Sequence, residues 1–240
     1  MKILAVDIGN TKIKAGVFSN LTLLKKFEIL NEDKEEICAI FDAFEIERLI
    51  ISNVSGDDSV MKLIPGNIPI FTLNSSVKLP FKNFYKSKLS LGVDRIAMVA
   101  GAQHFFPDKN CLIIDAGTCV TYDILNSNGA YLGGNITPGL QMRLKAMNKF
   151  TGKLPFPKWK NPAHILGKDT ENCMLSGAYF GLIGEIQYFK NEYEKEFPHL
   201  NVLISGGDAT LLAKPFKNSI FVHEHLLLYG LIKILTINVY

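Results

Sequence analysis

Leu4-Ala-Val-Asp7-Ile-Gly9-Asn10-Thr11-Lys12-Ile-Lys14-Ala-Gly-Val-Phe18 is the stretch on which the reading of this chain turns. An apolar strand stops on an acid, turns through a glycine and two hydrogen-bonding side chains, and re-enters a strand. Gly9 has no Cβ to keep an anion away from the backbone, and Asn10 and Thr11 offer side-chain and amide donors to phosphate oxygens. A carboxylate at Asp7 repels phosphate, so its place here makes sense beside a bound cation, a metal-held water or a lysine. The same residues also suit an ordinary β-hairpin turn.

A second copy favours the phosphate reading. Leu112-Ile-Ile-Asp115-Ala-Gly117-Thr118-Cys119-Val-Thr121-Tyr-Asp123-Ile-Leu125 repeats the grammar of apolar run, acid, small residue, glycine, threonine and new strand. Each turn opens a meander of about three strands, and a repeated supersecondary unit points to a duplicated fold. After the first meander, acids in Asn31–Ile37 and apolar Ile37, Ile40, Phe41 and Phe44 predict a covering helix, and Arg48–Val54 predicts a buried strand. Strand, strand, strand, helix, strand is the order of ribonuclease H-like folds. The expected class is therefore α/β: two ribonuclease H-like halves with mixed sheets and helices on both faces, which the resemblance given below makes actin-like ATPase halves. The halves are expected at 1–110, with the first phosphate loop and a substrate segment, and at 111–240, with the second loop.

Composition narrows the function. At 240 residues and 48% apolar the chain can build a substantial core. Its net charge of +3 is scattered rather than clustered, against a nucleic-acid partner. Cys38, Cys111, Cys119 and Cys173 are far apart and read as reduced thiols, the N-terminus enters a strand at once, and the most apolar run, 226–237, is interrupted by Lys233. A soluble, cytoplasmic protein without a membrane partner is expected.

Further along, the Ser-, Lys- and Pro-rich stretch 74–91, with Phe81, Phe84 and Tyr85, reads as a linker or a lid. It ends at Gly92-Val93-Asp94-Arg95, which puts Asp94 and Arg95 at the N-terminus of a buried helix. Tyr131–Arg143 reads as a strand, a tight loop and a helix opened by Pro138. A long helix is expected from Asp169 or Thr170 to about Glu196, with Gly177, Ala178, Gly181 and Gly184 making a small face against which another element packs. Ser205-Gly206-Gly207-Asp208 ends a strand, and a last strand and helix close the chain.

Two phosphate turns in related halves imply a nucleotide in the cleft between them and phosphoryl transfer or hydrolysis. The sequence has no Gly-x-x-x-x-Gly-Lys-Ser/Thr, no Gly-x-Gly-x-x-Gly and no protein-kinase catalytic loop. A kinase needs a carboxylate to orient the attacking hydroxyl and accept its proton. Asp94 is the candidate, at a helix start beside Arg95, where dipole and guanidinium both favour its ionised form; an N-cap is the plainer role for the same residue.

Asp7-x-Gly9-Asn10-Thr11, Gly92-Val93-Asp94-Arg95, Asp115-Ala116-Gly117-Thr118, Gly133-Gly134-x-Ile136-x-Pro138-Gly139 and Ser205-Gly206-Gly207-Asp208 stand in an order and spacing that resembles type III pantothenate kinase. That family belongs to the acetate and sugar kinase, heat-shock chaperone and actin superfamily. The likeness covers essentially the whole chain. The two acid-glycine turns are shared by the superfamily, whereas Gly-x-Asp-Arg between them is specific to the family. The resemblance implies phosphorylation of the primary hydroxyl of pantothenate by ATP with Mg2+, giving 4'-phosphopantothenate, the first step toward coenzyme A. It implies an ATP loop of Asp7, Ile8, Gly9, Asn10, Thr11, Lys12, Ile13 and Lys14, with Thr118 as the second phosphate contact. It implies pantothenate contacts from Tyr85, Gly92, Val93, Asp94, Arg95 and Thr170, with Asp94 as proton acceptor, and a monovalent cation, K+ or NH4+, on Asp115. It also implies a homodimer with substrate pockets near the interface. Two positions depart from the pattern: Cys119 stands where alanine is common, and Lys86-Ser87-Lys88 replaces a stretch that often carries proline.

Gly206-Gly207 either contacts adenosine or simply ends a strand, and Asp123 supports the second meander or stands behind Asp115. The five histidines are scattered and read as surface or packing residues, and Trp159 as a local anchor. Two other functions fit the scaffold. A sugar kinase of the repressor-related family would carry a cysteine-rich zinc motif that the four cysteines do not form. A nucleotide-binding regulator would not need the acid of Gly-x-Asp-Arg.

Overall fold

The computed structural model describes residues 1–216 and 219–239. In chain order its strands are β1 (Lys2–Ile8), β2 (Lys12–Ser19), β3 (Thr22–Leu30), β4 (Arg48–Asn53), β5 (Ile70–Thr72), β6 (Lys82–Asn83), β7 (Cys111–Ala116), β8 (Cys119–Leu125), β9 (Ala130–Pro138), β10 (Asn201–Ser205) and β11 (Phe221–Val222). Its α-helices are α1 (Cys38–Ala43), α2 (Val93–Phe105), α3 (Leu140–Phe150), α4 (Thr170–Glu196), α5 (Ala209–Ala213) and α6 (Leu226–Val239). The strands form a five-stranded sheet, β3-β2-β1-β4-β5, and a six-stranded sheet, β11-β10-β7-β8-β9-β6. Both sheets mix parallel and antiparallel pairs, as the α/β reading requires. Contacts gather the chain into two units, one of Met1–Asp108, Leu125–Gly133 and the segment from His225 on, the other of Lys109–Ile124 and Gly134–Glu224.

In the first unit β1 is apolar along its length because it is covered on both faces, and successive side chains go to opposite sides. Leu4, Val6 and Ile8 join Ile13, Val17, Leu49 and Ile51 beneath Ile37 and Ile40. The other face is covered by α6, which packs on β1, β4 and α2, with Tyr229 edge-on to Phe18 at 5.2 Å. A Cβ on Gly230 would enter the Ala97 carbonyl, so α6 and α2 cross with their backbones touching. Two contiguous halves meeting at 110/111 would put this helix with the later residues; the apolar helix instead finds its cover against α2. The covering helix after β3 also differs from expectation. Residues Asn31–Ile37 wind as 3-10 turns with a kink at Asp33, where no side chain caps the N-terminus, and only Cys38–Ala43 is α-helical.

In the second unit α4 starts where the sequence placed it. Asp169 is its N-cap, accepting from the Asn172 N–H at 2.9 Å, and that bond holds the Asp169 carboxyl below its usual range. Leu112, Ile114, Val120, Tyr122, Leu144, Leu182 and Ile186 form the core. Pro138 does not open α3. It closes β9, Gly139 is the extended N-cap, and the helix begins at Leu140. The expected small face of α4 also reads differently: Ala178 is core, whereas a Cβ on Gly177, Gly181 or Gly184 would meet nothing within 4 Å among the described residues. No helix of the described residues is long and apolar enough to cross a membrane.

Candidate active site

The first acid-glycine turn joins β1 to β2 and is closed by the Gly9 N–H bonding the Lys12 carbonyl at 3.1 Å. Asp7 is buried, while Asn10, Thr11 and Lys12 are exposed, so the turn offers its donors outward. Ile8 and Ile13 put their side chains into the core and leave only backbone for a ligand. Lys14 faces Asp7 across the antiparallel pair. Lys12 lies 3.4 Å from Glu28; burial works against ionisation of that carboxyl, yet Lys26 and Lys12 together hold it below its usual range.

Two supports of this turn come from outside the motif. Parallel pairing of β1 with β4 puts Ser52 opposite Asp7, and the buried Ser52 hydroxyl donates to Asp7 Oδ1 at 2.5 Å. Asn31, where β3 gives way to the 3-10 turns, donates its side-chain amide to the Gly9 carbonyl at 3.0 Å and its backbone N–H to the Thr11 carbonyl at 3.3 Å. Neither residue carried a sequence signal, because each is set by strand register.

Gly92 is the N-cap of α2 and Asp94 lies in its first turn, half-buried, accepting from the Arg95 N–H at 2.8 Å. Thus Asp94 is not the N-cap itself. A Cβ on Gly92 would collide with the Asp94 carboxylate, so only glycine leaves that group its place. Arg95 is buried, with its guanidinium 5.5 Å from the Tyr85 ring centroid. Tyr85 in turn stacks on the buried Tyr131 at 6.1 Å and 15°, with Phe81 edge-on to Tyr131. The backbone delivers Tyr85 there: β6 pairs with β9, Phe84 N–H bonds Tyr131 carbonyl at 3.0 Å, and Asn83 caps the Tyr85 N–H at 2.9 Å. Residues 82–85 are therefore a sheet edge rather than a free linker, and Asp94, Arg95 and Tyr85 lie in one unit.

The second acid-glycine turn, in the other unit, follows β7, with Thr118 exposed and the Gly117 N–H bonding the Cys119 carbonyl at 3.0 Å. Asp115, the last acid of β7, is half-buried. Gly206, with φ of 98°, passes so close that a Cβ there would lie 2.6 Å from Asp115 Oδ1 and against the Ala116 carbonyl. The Gly206 backbone thus packs directly against the end of β7, and the Ala116 carbonyl there accepts from the Asp208 N–H at 3.0 Å. Gly206, directly after β10, takes the left-handed backbone that this close approach requires. Asp208, next along, has its carboxyl pushed up by burial. Asp123 is fully buried in β8. Thr170 is exposed at the start of α4, in an open groove of about 520 Å³ with Leu154, Gly167 and Met174.

Residues 3–192 match the family model for type III pantothenate kinase. A type III pantothenate kinase of Christiangramia forsetii is 41% identical over 98% of each chain. Among solved structures, a Campylobacter jejuni protein described as a conserved Baf family transcriptional activator matches with a TM-score of 0.65, at 22% identity over 98% of each chain. A ROK family glucokinase of Streptomyces griseus, in complex with glucose and AMPPNP, matches with a TM-score of 0.54, at 14% identity over 99% of each chain. These two likenesses are of fold. With the family model spanning most of the chain and a full-length relative at 41% identity, this protein belongs to the type III pantothenate kinase family.

Proposed function

We propose that this protein transfers the γ-phosphoryl group of ATP to the primary hydroxyl of pantothenate, the first step toward coenzyme A, with Asp94 receiving the hydroxyl proton. The observation that carries the reading is the Gly92–Arg95 segment, a carboxylate in the first turn of a helix next to a buried arginine that braces an aromatic wall. Orienting an alcohol and taking its proton late suits a loose phosphoryl-transfer transition state, in which positioning and charge neutralisation dominate. Arg95 and Tyr85 bind and orient pantothenate, and Gly92 and Val93 shape the approach to Asp94. Gly9, Asn10 and Thr11 give donors to phosphate oxygens, with Ile8, Lys12, Ile13 and Lys14 completing the loop, and Thr118 makes the corresponding contact from the second turn. Thr170 is a substrate contact.

Among the described residues no three His, Cys, Asp or Glu side chains gather into a metal site. Mg2+ would arrive on the nucleotide with most of its own waters, and Asp7 would meet it through one of them. Asp115 would hold K+ or NH4+, which would supply positive charge beside phosphates that the carboxylate alone would repel. A homodimer through α4 accounts for Gly177, Gly181 and Gly184 standing open beside a groove of about 510 Å³ lined by Ile165, Leu166 and Phe180.

The test is one assay. Purified protein with MgATP and pantothenate forms ADP and 4'-phosphopantothenate, and omitting K+ and NH4+ removes most turnover. ADP formation indifferent to pantothenate would overturn the substrate assignment.

A further inference from the structure

The second phosphate turn is held by a chain of contacts that leads away from the nucleotide residues. The Gly139 N–H donates to the Thr118 carbonyl at 3.0 Å, and a Cβ on Gly139 would lie 2.5 Å from that same oxygen. The two backbones are in contact, so the place of Gly139 sets the place of Thr118. Before it, Pro138 has no N–H to donate, and its carbonyl is gripped by Arg143 Nε at 2.8 Å. The Arg143 backbone N–H also bonds the Gly139 carbonyl at 3.0 Å.

Arg143 is itself fixed by Glu185 of α4, whose Oε2 accepts from the guanidinium at 2.5 Å. Glu185 Oε1 accepts from the hydroxyls of Tyr122 at 2.8 Å and Thr137 at 2.6 Å. Burial and the Glu185 charge push the Tyr122 hydroxyl far up, so it remains a donor. One carboxylate therefore gathers donors from β8, which begins at the turn, from β9, which ends at Pro138, and from α3, which starts beside it. The ion pair is mostly out of water, with 21% and 22% of its side chains exposed. The planar guanidinium reaches Pro138 with one nitrogen and Glu185 with another, which an ammonium on a flexible stem does not reproduce.

We infer that Arg143 and Glu185 are positioning residues for the Gly117-Thr118 turn, acting through Pro138 and Gly139 on the phosphate contact; this rests on the phosphate role given to Thr118 above. They set the affinity for ATP and leave pantothenate binding alone. Tyr85 and Gly92–Arg95 belong to the other unit, and Thr170 lies roughly 22 Å from Glu185 along the axis of α4.

Arg143→Lys keeps a cation facing Glu185 but loses the Nε donor to Pro138. In steady-state kinetics with the full-length protein it raises KM for ATP about tenfold, with KM for pantothenate unmoved. Glu185→Gln, which retains a side-chain acceptor, gives the same pattern and serves as the readout if Arg143→Lys folds poorly. On a Thr118→Ala background Arg143→Lys adds little, because the contact it positions is already gone. Equal rises in both KM values, or effects that simply add, overturn the positioning role. Thr118→Ala alone reports on the reading beneath: an unchanged KM for ATP there overturns the phosphate role itself, whereas a raised KM with an unaffected Arg143→Lys overturns only the inference.

Discussion

Gly139→Ala tests whether the place of the second turn matters to the chemistry. The added Cβ would lie 2.5 Å from the Thr118 carbonyl oxygen and nearer still to that of Gly117, and both are backbone atoms without a rotamer to yield. Reaching an ordinary contact of 3.4 Å from the Gly117 oxygen, 2.2 Å away, requires the turn to retreat by about 1.2 Å. Overpacking of this kind costs about 1–3 kcal/mol, less than the roughly 5–15 kcal/mol that holds a domain folded, so the variant folds. A shift near 1 Å in a positioning group costs on the order of 100-fold in rate. The expected result is a cooperative melt lowered by several degrees, and kcat/KM for ATP down about 100-fold in a coupled ADP assay at saturating pantothenate. Gly152→Ala, just beyond the same helix and with nothing within 4 Å of its Cβ, is the control and stays near wild type. A folded Gly139→Ala with undiminished kcat/KM would show that the Gly117-Thr118 turn does not hold the phosphates.

Asp94→Asn should bind ATP with little change yet lose about 100- to 10,000-fold in kcat, and equal loss in a variant that no longer binds ATP would argue for a structural role instead. Asp115→Asn should raise the K+ concentration needed for half-maximal turnover while leaving the melt nearly unchanged; an unaltered K+ titration would move the cation elsewhere. Gly181→Trp adds bulk where the single chain has open space, so it should leave the fold intact and, on the proposed dimer through α4, turn a wild-type dimer into a monomer by sedimentation; a monomeric wild type or a variant that stays dimeric would overturn that interface. Burial pushes the Cys111 thiol up to about 12 from 9.0. Above pH 9 the unfolded thiol ionises while the folded one keeps its proton, so stability falls by about 1.4 kcal/mol per pH unit until roughly pH 12. Denaturant midpoints at pH 8 and 10 should differ more for wild type than for Cys111→Ala, and equal differences would place that slope on other groups.

Features decided within a few residues were legible in the sequence. Asp7-x-Gly-Asn-Thr announces its turn because glycine, amide and hydroxyl do their work locally, and Asp169 announces α4 because a carboxylate three residues before Asn172 caps it. Features decided by register or long-range packing were not. Ser52 meets Asp7 only because β4 pairs with β1 in one register, and Tyr131 comes under Tyr85 only because a two-residue strand joins β9. Glu185 reads as one more charge on a long helix until β8, β9 and α3 turn their donors toward it. The apolar α6 carried no mark of which sheet it would cover.

The glycines of α4 are the case in which the sequence and the single chain pull apart. Each costs a helix interior about 1 kcal/mol relative to alanine, and small residues spaced along one face are normally repaid by a neighbour's close approach. Gly177, Gly181 and Gly184 have no such neighbour among the described residues, while the core side of the same turns is filled by Ala178, Leu182 and Ile186. Beside them Ile165 and Leu166 are 76% and 72% exposed. On the dimer proposed above, a helix that gives up roughly 3 kcal/mol of propensity on one face and leaves apolar side chains at its edge would be matched to a surface the single chain does not supply. A second copy bringing the same face would bury both features at once, since a two-fold interface sets each patch against its own likeness.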